Sequence, residues 1–334
     1  MPPTTHREVR LAAARPNTGP VGPEHFEIVD APVGSPGLGQ VLVRNTHLAM
    51  RPLMRSLMAG TRLPVPPYVP GEVMWGPAAG EVVEGTAELP AGTPVAHVQG
   101  WREYAVCPAD RVRVVPEGAD PVGQLVQADT AYVGLVGIAG VREGDTVFVS
   151  SAAGSVGTMV GQIARLRGAG RVVGSAGSAR KVRWLVDELG FDAAFDHREG
   201  PVAARLAEAA PDGIDVYFDN VGGEQLQAAV ELARPGARIA LCGALSGQLG
   251  EGADDTAPVL LDSLVLQSRQ ITVRGFVTSA NPELQREGLR EVTRWLRRGE
   301  ITVPVRRFQG LDEAPRALLE LLRGEHLGNV IVEL

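Results

Sequence analysis

Residues 147–162 hold the pattern with the clearest chemical use. Four residues of strand composition, Val147-Phe148-Val149-Ser150, enter a glycine turn, and the turn enters a helix. The turn reads Ala152-x-Gly154-x-x-Gly157, the dinucleotide fingerprint with alanine in its first glycine place. Glycine at 154 lets the backbone approach a pyrophosphate with no Cβ between them. Glycine at 157 lets the helix pack close to the strand. The N–H groups of Ser155, Val156 and Gly157 then face phosphate oxygens at the positive end of the helix dipole. A lone match of this kind is weak, and its rival is a plain tight turn. The strand before, the helix after and the next strand at the right distance select the nucleotide reading.

A second group follows the next strand. NAD sites usually have Asp or Glu there for the ribose hydroxyls. Here Gly174-Ser175-Ala176-Gly177-Ser178 has no acid, and Arg180, Lys181 and Arg183 come directly after it. An adenosine 2′-phosphate suits this sequence better than a free hydroxyl; the competing reading is surface charge on a helix. Of 32 basic residues, Lys181 is the only lysine. Metal chemistry finds little support. Cys107 and Cys242 form no C-x-x-C pair, and His6, His25, His47, His97, His197 and His326 form no ligand cluster.

The elements that must position these groups follow from the periodicity. Up to about residue 120 the chain reads as short strands at 26–30, 40–46, 81–83, 93–98, 101–106 and 111–115, with turn signals between them, as in a small barrel. Pro52 suits the first turn of a short helix, and Arg51 and Arg55 are four apart. The Pro-rich stretch 56–70 is either a substrate cover or a passive connector. A helix is expected over 123–139. Strands at 147–150, 171–175, 191–196, 214–219, 237–242 and 271–276 then alternate with helices, which makes a doubly wound parallel α/β sheet of six strands. Residues 246–262 read as a long connection. A helix from Asn281-Pro282 to about 298 and a last helix and strand, 318–323 and 328–333, complete the chain. The last segment is expected to return to the β domain, giving domains of 1–121 with 302–334 and of 122–301. Ligands in such a sheet bind at the carboxyl ends of the strands. Segments 151–157, 174–178, 219–223 and 242–246 meet that condition.

Composition agrees. The chain has 334 residues, 44% of them hydrophobic, with 41 glycines and a formal net charge of −7. That length favours two domains, and that charge disfavours nucleic acid or an anionic membrane as partner. No run spans a bilayer and the N-terminus lacks a signal-peptide core, so a cytoplasmic location is expected.

Together these motifs resemble the medium-chain dehydrogenase/reductase superfamily. Within it, the chain looks like the zinc-independent branch of leukotriene B4 dehydrogenase/prostaglandin reductase and plant-type alkenal double-bond reductases. The resemblance rests on Gly71-x-x-Met74-x-Gly76, Gly100-Trp101-Arg102-Glu103-Tyr104, Thr130-Ala131-Tyr132-x-Gly134-Leu135, the 152–162 fingerprint, Ser178-x-x-Lys181-Val182, Tyr217-Phe218-Asp219-Asn220-Val221-Gly222-Gly223 and Cys242-Gly243-Ala244-Leu245-Ser246. It implies a Rossmann domain with a GroES-like barrel, a homodimer, and NADPH-dependent reduction of the C=C bond of α,β-unsaturated ketones and aldehydes. By matching motif, residues 154–157 would hold the pyrophosphate, and Ser178 and Lys181 the 2′-phosphate. Asn220, Cys242, Gly243, Ala244, Leu245 and Ser246 would line the cofactor, with Phe276, Val277 and Thr278 by the nicotinamide. His197 and His326 are also carried across as cofactor residues, at two stretches that depart from the family: its F-N-Y-K is here Phe195-Asp196-His197-Arg198, and its G-x-N-x-G-K is Gly324-Glu325-His326-Leu327-Gly328-Asn329.

The substrate half departs from the family. Its S-V-D-P-Y-M-R is here Ala49-Met50-Arg51-Pro52-Leu53-Met54-Arg55, and its C-G-A-I-S-x-Y ends on Gln248, so two tyrosines are replaced. Arg51, Leu53, Arg55 and Gln248 are the candidate pocket residues. Tyr132 is either near the nicotinamide or an ordinary core residue. No residue is assigned as the catalytic acid. Two alternatives remain: an NADPH quinone oxidoreductase, which needs no specific donor, and a non-enzymatic NADPH-binding sensor.

Overall fold

The computed structural model describes residues 2–12, 19–60, 65–249 and 256–334. The chain begins with β1 (Thr5–Leu11), β2 (Phe26–Pro32), β3 (Gln40–Met50), α1 (Leu53–Met58), β4 (Ala78–Glu84), β5 (Pro94–His97), β6 (Tyr104–Pro108) and β7 (Arg113–Val114). Next come α2 (Ala128–Tyr132), β8 (Thr146–Val149), α3 (Ser155–Leu166), β9 (Arg171–Ala176), α4 (Ala179–Asp187), β10 (Ala193–Asp196), α5 (Val202–Ala209) and β11 (Ile214–Asp219). They are followed by α6 (Gly223–Glu231), β12 (Ala233–Leu241), α7 (Leu245–Leu249), α8 (Ser263–Ser268), β13 (Thr272–Gly275) and α9 (Pro282–Arg298). The last elements are β14 (Val305–Gln309), α10 (Ala314–Leu322) and β15 (Asn329–Glu333). Among the described residues, those up to Val126 and from Val305 to Leu334 form one compact unit, and those from Gln127 to Pro304 a second.

The first unit is mainly β. Its larger sheet runs β14-β15-β3-β4-β5-β7, with β6 also pairing β3; β1 and β2 form an antiparallel pair of their own. β15 lies antiparallel to β3, Val330 opposite Met50, so the end of the chain closes the sheet that β3 began. The core gathers around Trp101, which is fully buried and stacks on Phe26 at 5.9 Å. Asn45 ties in the loop before β6 by donating to Gln99 O and Arg102 O at 3.1 and 2.8 Å. β1 and β14 are strands that the periodicity did not announce. In β1 the inward places include His6 and Glu8, both buried, and buried polar residues break the apolar–polar alternation by which a strand is read.

The second unit is a parallel sheet in the order β10-β9-β8-β11-β12-β13. Val147, Phe148 and Val149 of β8 are fully buried, as befits a central strand covered on both faces. The chain starts at β8, winds outward through β9 and β10, then returns to β11 on the other side of β8. The strand order therefore reverses between β8 and β11, and a ligand crevice opens above that point.

Two expectations need correcting. Residues 123–139 do not form one helix: α2 is short and passes into a π-helical turn over 133–138. A Cβ at Gly134 would lie 2.5 Å from the rings of both Phe218 and Phe276, and one at Gly137 would lie 2.4 Å from Leu284. Neighbouring side chains press into the helix at its glycines, which hold helices poorly, and the turn widens there. The connection 246–262 contains α7 and the approach to α8, whose Asp262 side chain caps Leu264 N at 2.8 Å. Residues 250–255 of that connection, and residues 61–64 of the Pro-rich stretch, lie outside the described residues. The Pro-rich stretch also holds the second half of α1 and a buried Tyr68, whose hydroxyl donates to Trp75 O at 2.6 Å.

Candidate functional site

The crevice is built from the loops that follow β8, β9, β11 and β12. After β8, Gly154 is the N-cap of α3, with extended φ and ψ of −87° and 177°, and as a glycine it has no side chain of its own to cap the helix. A helix N-terminus of this kind presents the positive end of its dipole to an anion. A Cβ at Gly157 would lie 2.4 Å from Ser151 O and 2.6 Å from Ala152 Cα, so only glycine permits this approach of helix to turn. Ser151 itself has φ of 49°, in the left-handed region, at the crest of the turn. Ala152 N donates to Ser175 O at 2.8 Å and fixes the turn against β9.

The loops after β11 and β12 are bonded to each other and to β8. Asn220 N donates to Ser150 Oγ at 2.8 Å, and Asn220 Nδ2 to Ser150 O at 2.7 Å, across the point of reversal. Asp219 is buried. Its Oδ1 accepts from the Tyr217 hydroxyl, Val221 N and Gly222 N at 2.7, 2.9 and 2.8 Å, and from Ser150 Oγ at 3.2 Å. Burial pushes this carboxyl above its ordinary value, and those donors pull it back. Cys242 N and Gly243 N both donate to Asp219 O, Leu245 N to Asn220 O, and Ser246 N and Oγ to Val221 O. Burial pushes the Cys242 thiol up to about 12, which disfavours the thiolate that a nucleophile needs. Ser150 and Asp219, which were not among the candidate site residues although they stand in the motif stretches, hold the Asn220 and 242–246 loops in place.

At the end of β9 the structure brings cations together. Ser178 caps α4, its Oγ accepting Lys181 N at 3.4 Å. The Lys181 ammonium lies below its ordinary value, first by burial and then by the nearby charges of Arg180 and Arg198. His197 sits beside Arg198 where both border Gly177, its Nδ1 2.7 Å from Ala176 O. Phe276 meets Phe218 edge to face at 6.2 Å, and Thr278 Oγ1 donates to Thr130 Oγ1 at 3.1 Å. A recess of about 350 Å³ touches Phe276 and Val277, but its lining includes none of the 151–157, 219–223 or 242–246 loops.

Comparison with known proteins agrees with this geometry. Residues 155–297 match the family described as zinc-binding dehydrogenase, and residues 7–115 that described as N-terminal domain of oxidoreductase. An NADPH-dependent curcumin reductase of Escherichia coli is 35% identical over 333 residues, covering 96% of this chain and 95% of its own. The chain belongs to the medium-chain dehydrogenase/reductases, in the zinc-independent branch of the curcumin and prostaglandin reductases. Prostaglandin reductase 1 of Bos taurus is 34% identical over 306 residues, covering 88% of this chain and 89% of its own. The crystal structure of CurA from Vibrio vulnificus in complex with NADPH superposes with a TM-score of 0.88 at 32% identity, covering 98% of each chain. Among the described residues, no group of three or more His, Cys, Asp or Glu side chains is placed to hold a metal ion.

The other candidate residues of this family member are placed as follows. Arg51, Leu53, Arg55 and His326 belong to the first unit, and Gln248, on α7, to the second. Arg51 precedes the N-cap Pro52 of α1, so it does not share a helical face with Arg55 as their spacing suggested; its Nη2 donates to Leu125 O at 3.2 Å. Arg55 is buried, and Leu53 packs on the Trp101 core. His326 lies edge-on to Phe308, with Nε2 3.0 Å from Glu320 Oε2. Tyr132 is a core residue. Its hydroxyl donates to Glu287 Oε1 at 2.5 Å and accepts from Arg167 Nη2 at 2.6 Å. Arg167 is the C-cap of α3, the end opposite Gly154. Twelve helical residues separate the two ends by about 18 Å.

Proposed function

We propose that this chain is an NADPH-dependent, zinc-independent reductase of the C=C bond in α,β-unsaturated ketones and aldehydes. The observation that carries the reading is the crevice itself. A helix N-terminus with glycine at its N-cap stands at Gly154, and a strand end without an acid is flanked by Lys181, Arg180 and Arg198. The first feature suits a pyrophosphate and the second a 2′-phosphate. The names of the curcumin and prostaglandin reductases support the same reading.

NADPH, when bound, supplies the hydride for the β-carbon of an enone. The chain's own residues bind and orient. The 154–157 turn holds the pyrophosphate and keeps a Cβ away from it. Lys181 gives the 2′-phosphate a compact positive partner. Asn220 and the 242–246 loop, fixed by Ser150 and Asp219, form the wall beside the cofactor. The β-rich unit, with Arg51, Leu53 and Arg55, is the proposed substrate domain. Negative charge on the carbonyl oxygen needs a donor placed where it develops, and no residue is assigned that role.

The test is NADPH oxidation with a panel of enones, enals and quinones, in the presence of a chelator, with identification of the products. A saturated ketone or aldehyde with its carbonyl intact is the expected product. An allylic alcohol, turnover of quinones alone, or no turnover of any compound overturns the reading.

A further inference from the structure

We propose that His197 makes recognition of the adenosine 2′-phosphate proton-linked: the imidazole takes up a proton as the phosphate binds, and hydrogen-bonds it through Nε2. This rests on the NADPH reading above. His197 directly follows β10. Its backbone N–H and its ring Nδ1 both reach Ala176 O, at 3.0 and 2.7 Å. A carbonyl oxygen only accepts, so Nδ1 is assigned the ring hydrogen. In the neutral ring Nε2 is then a bare acceptor, which repels a phosphate oxygen. In the charged ring it becomes a donor, and a charge-assisted one.

The position of the ring supports this. Ala176 ends β9, and a Cβ at Gly177 would lie 3.2 Å from His197 Cε1 and 3.4 Å from Arg198 Nε. The imidazole thus borders the strand end where the acid of an NAD site is missing. Arg198 is beside the ring at Gly177, and its charge reaches Lys181 of α4, on which Arg180 also acts; Asp196 and Glu199 stand on the segment of His197 itself. On α5, Arg205 and Glu208 pair with each other at 3.4 Å, and Asp196 Oδ1 accepts Arg198 N at 3.0 Å. Burial first, and then the charges of Arg180 and Arg198, hold the Lys181 ammonium down, and a phosphate dianion offsets that positive charge.

The sign of the effect is distinctive. A phosphate monoester gains its second charge near pH 6 (about) and by itself binds cations better as pH rises. Proton uptake by His197 gives the opposite slope. Calorimetric titration with 2′,5′-ADP and with 5′-AMP, from about pH 6 to about pH 8, separates the two. The proteins are the wild type, His197→Asn and His197→Gln. Asparagine can keep a donor on Ala176 O, and glutamine puts an uncharged amide in the ring's place.

The expected result is that the preference for 2′,5′-ADP over 5′-AMP gains about five- to tenfold toward low pH in the wild type, relative to both variants. Buffers of different ionisation heat should also show extra proton uptake with 2′,5′-ADP in the wild type alone. Equal pH profiles in wild type and variants overturn the role of His197. The wild-type proton uptake decides the matter if a variant does not fold, and its absence overturns the proposal. If 2′,5′-ADP binds no tighter than 5′-AMP at any pH, the phosphate reading itself fails.

Discussion

Lys181 and His97 show how one residue's surroundings set its chemistry. Lys181 stands three residues after the cap Ser178, and burial, then the charges of Arg180 and Arg198, lower its ammonium. A charge-assisted bond to a phosphate contributes roughly 1.5–3 kcal/mol. Lys181→Ala is therefore expected to cut the NADPH:NADH ratio of kcat/KM by about one to two powers of ten. An unchanged ratio would remove Lys181 from the site. His97 accepts Gln99 N–H at Nδ1, 3.0 Å away, and its Nε2 is buried with no hydrogen-bond partner. Burial, and then Arg102, lower it to about 4 from its ordinary 6.5. Above the ordinary value both folded and unfolded chains carry it neutral, and it has no effect. As pH falls from there to about 4, the unfolded chain gains a proton that the folded chain refuses, and stability drops by about 3 kcal/mol. His6 and His47 are lowered too, with burial the largest cause, and act in the same direction. Urea midpoints at about pH 7 and about pH 4.5 should fall accordingly in the wild type, and less steeply in His97→Gln. Equal slopes would mean that His97 titrates normally in the folded chain.

At the scale of elements, the strand–turn–helix from β8 to α3 was legible because its chemistry is local: Gly154 and Gly157 act within a few residues of themselves. The segment before it was not. Residues 123–139 look helical by composition, but the rings of Phe218 and Phe276, far along the chain, press on Gly134 and widen the turn. The same segment carries Tyr132, whose partners Glu287 and Arg167 join α2 to α9 and to the far end of α3. Tyr132→Phe should therefore lower stability by about 1–3 kcal/mol, since it strips a partner from two charged groups. Turnover at saturating substrate should stay within about twofold, below the tenfold that 1.36 kcal/mol of barrier would make. A large fall in kcat at an unchanged Tm would show that the hydroxyl takes part in the reaction.

For the molecule as a whole, the exposed edge is the feature that asks for a partner. The six-stranded sheet ends on β13, and only β12 pairs with it among the described residues. Leu260, Leu264 and Val277, in the segments flanking that strand, are all more than half exposed. An open edge with exposed apolar neighbours is normally covered, and a second copy of the chain would do so symmetrically. Light scattering is expected to give twice the chain mass of 35.2 kDa. A mass of one chain throughout the micromolar range would count against the dimer. No helix among the described residues is long and apolar enough to cross a membrane.

The sequence by itself determined the loops that face the crevice. Each is a short strand end followed by glycines or a cap, and such signals act over a few residues. It also determined the character of each half, because period and turn spacing are local properties. Only the tertiary structure decided which loops meet. Ser150 and Asp219 are 69 residues apart, yet Ser150 Oγ lies 3.2 Å from Asp219 Oδ1. That contact exists because β11 returns to the side of β8 away from β9, and nothing in either segment states its partner. Tyr132 was undecided for the same reason: its neighbours Arg167 and Glu287 come from two later helices, and their packing placed it at the end of α3 away from the fingerprint.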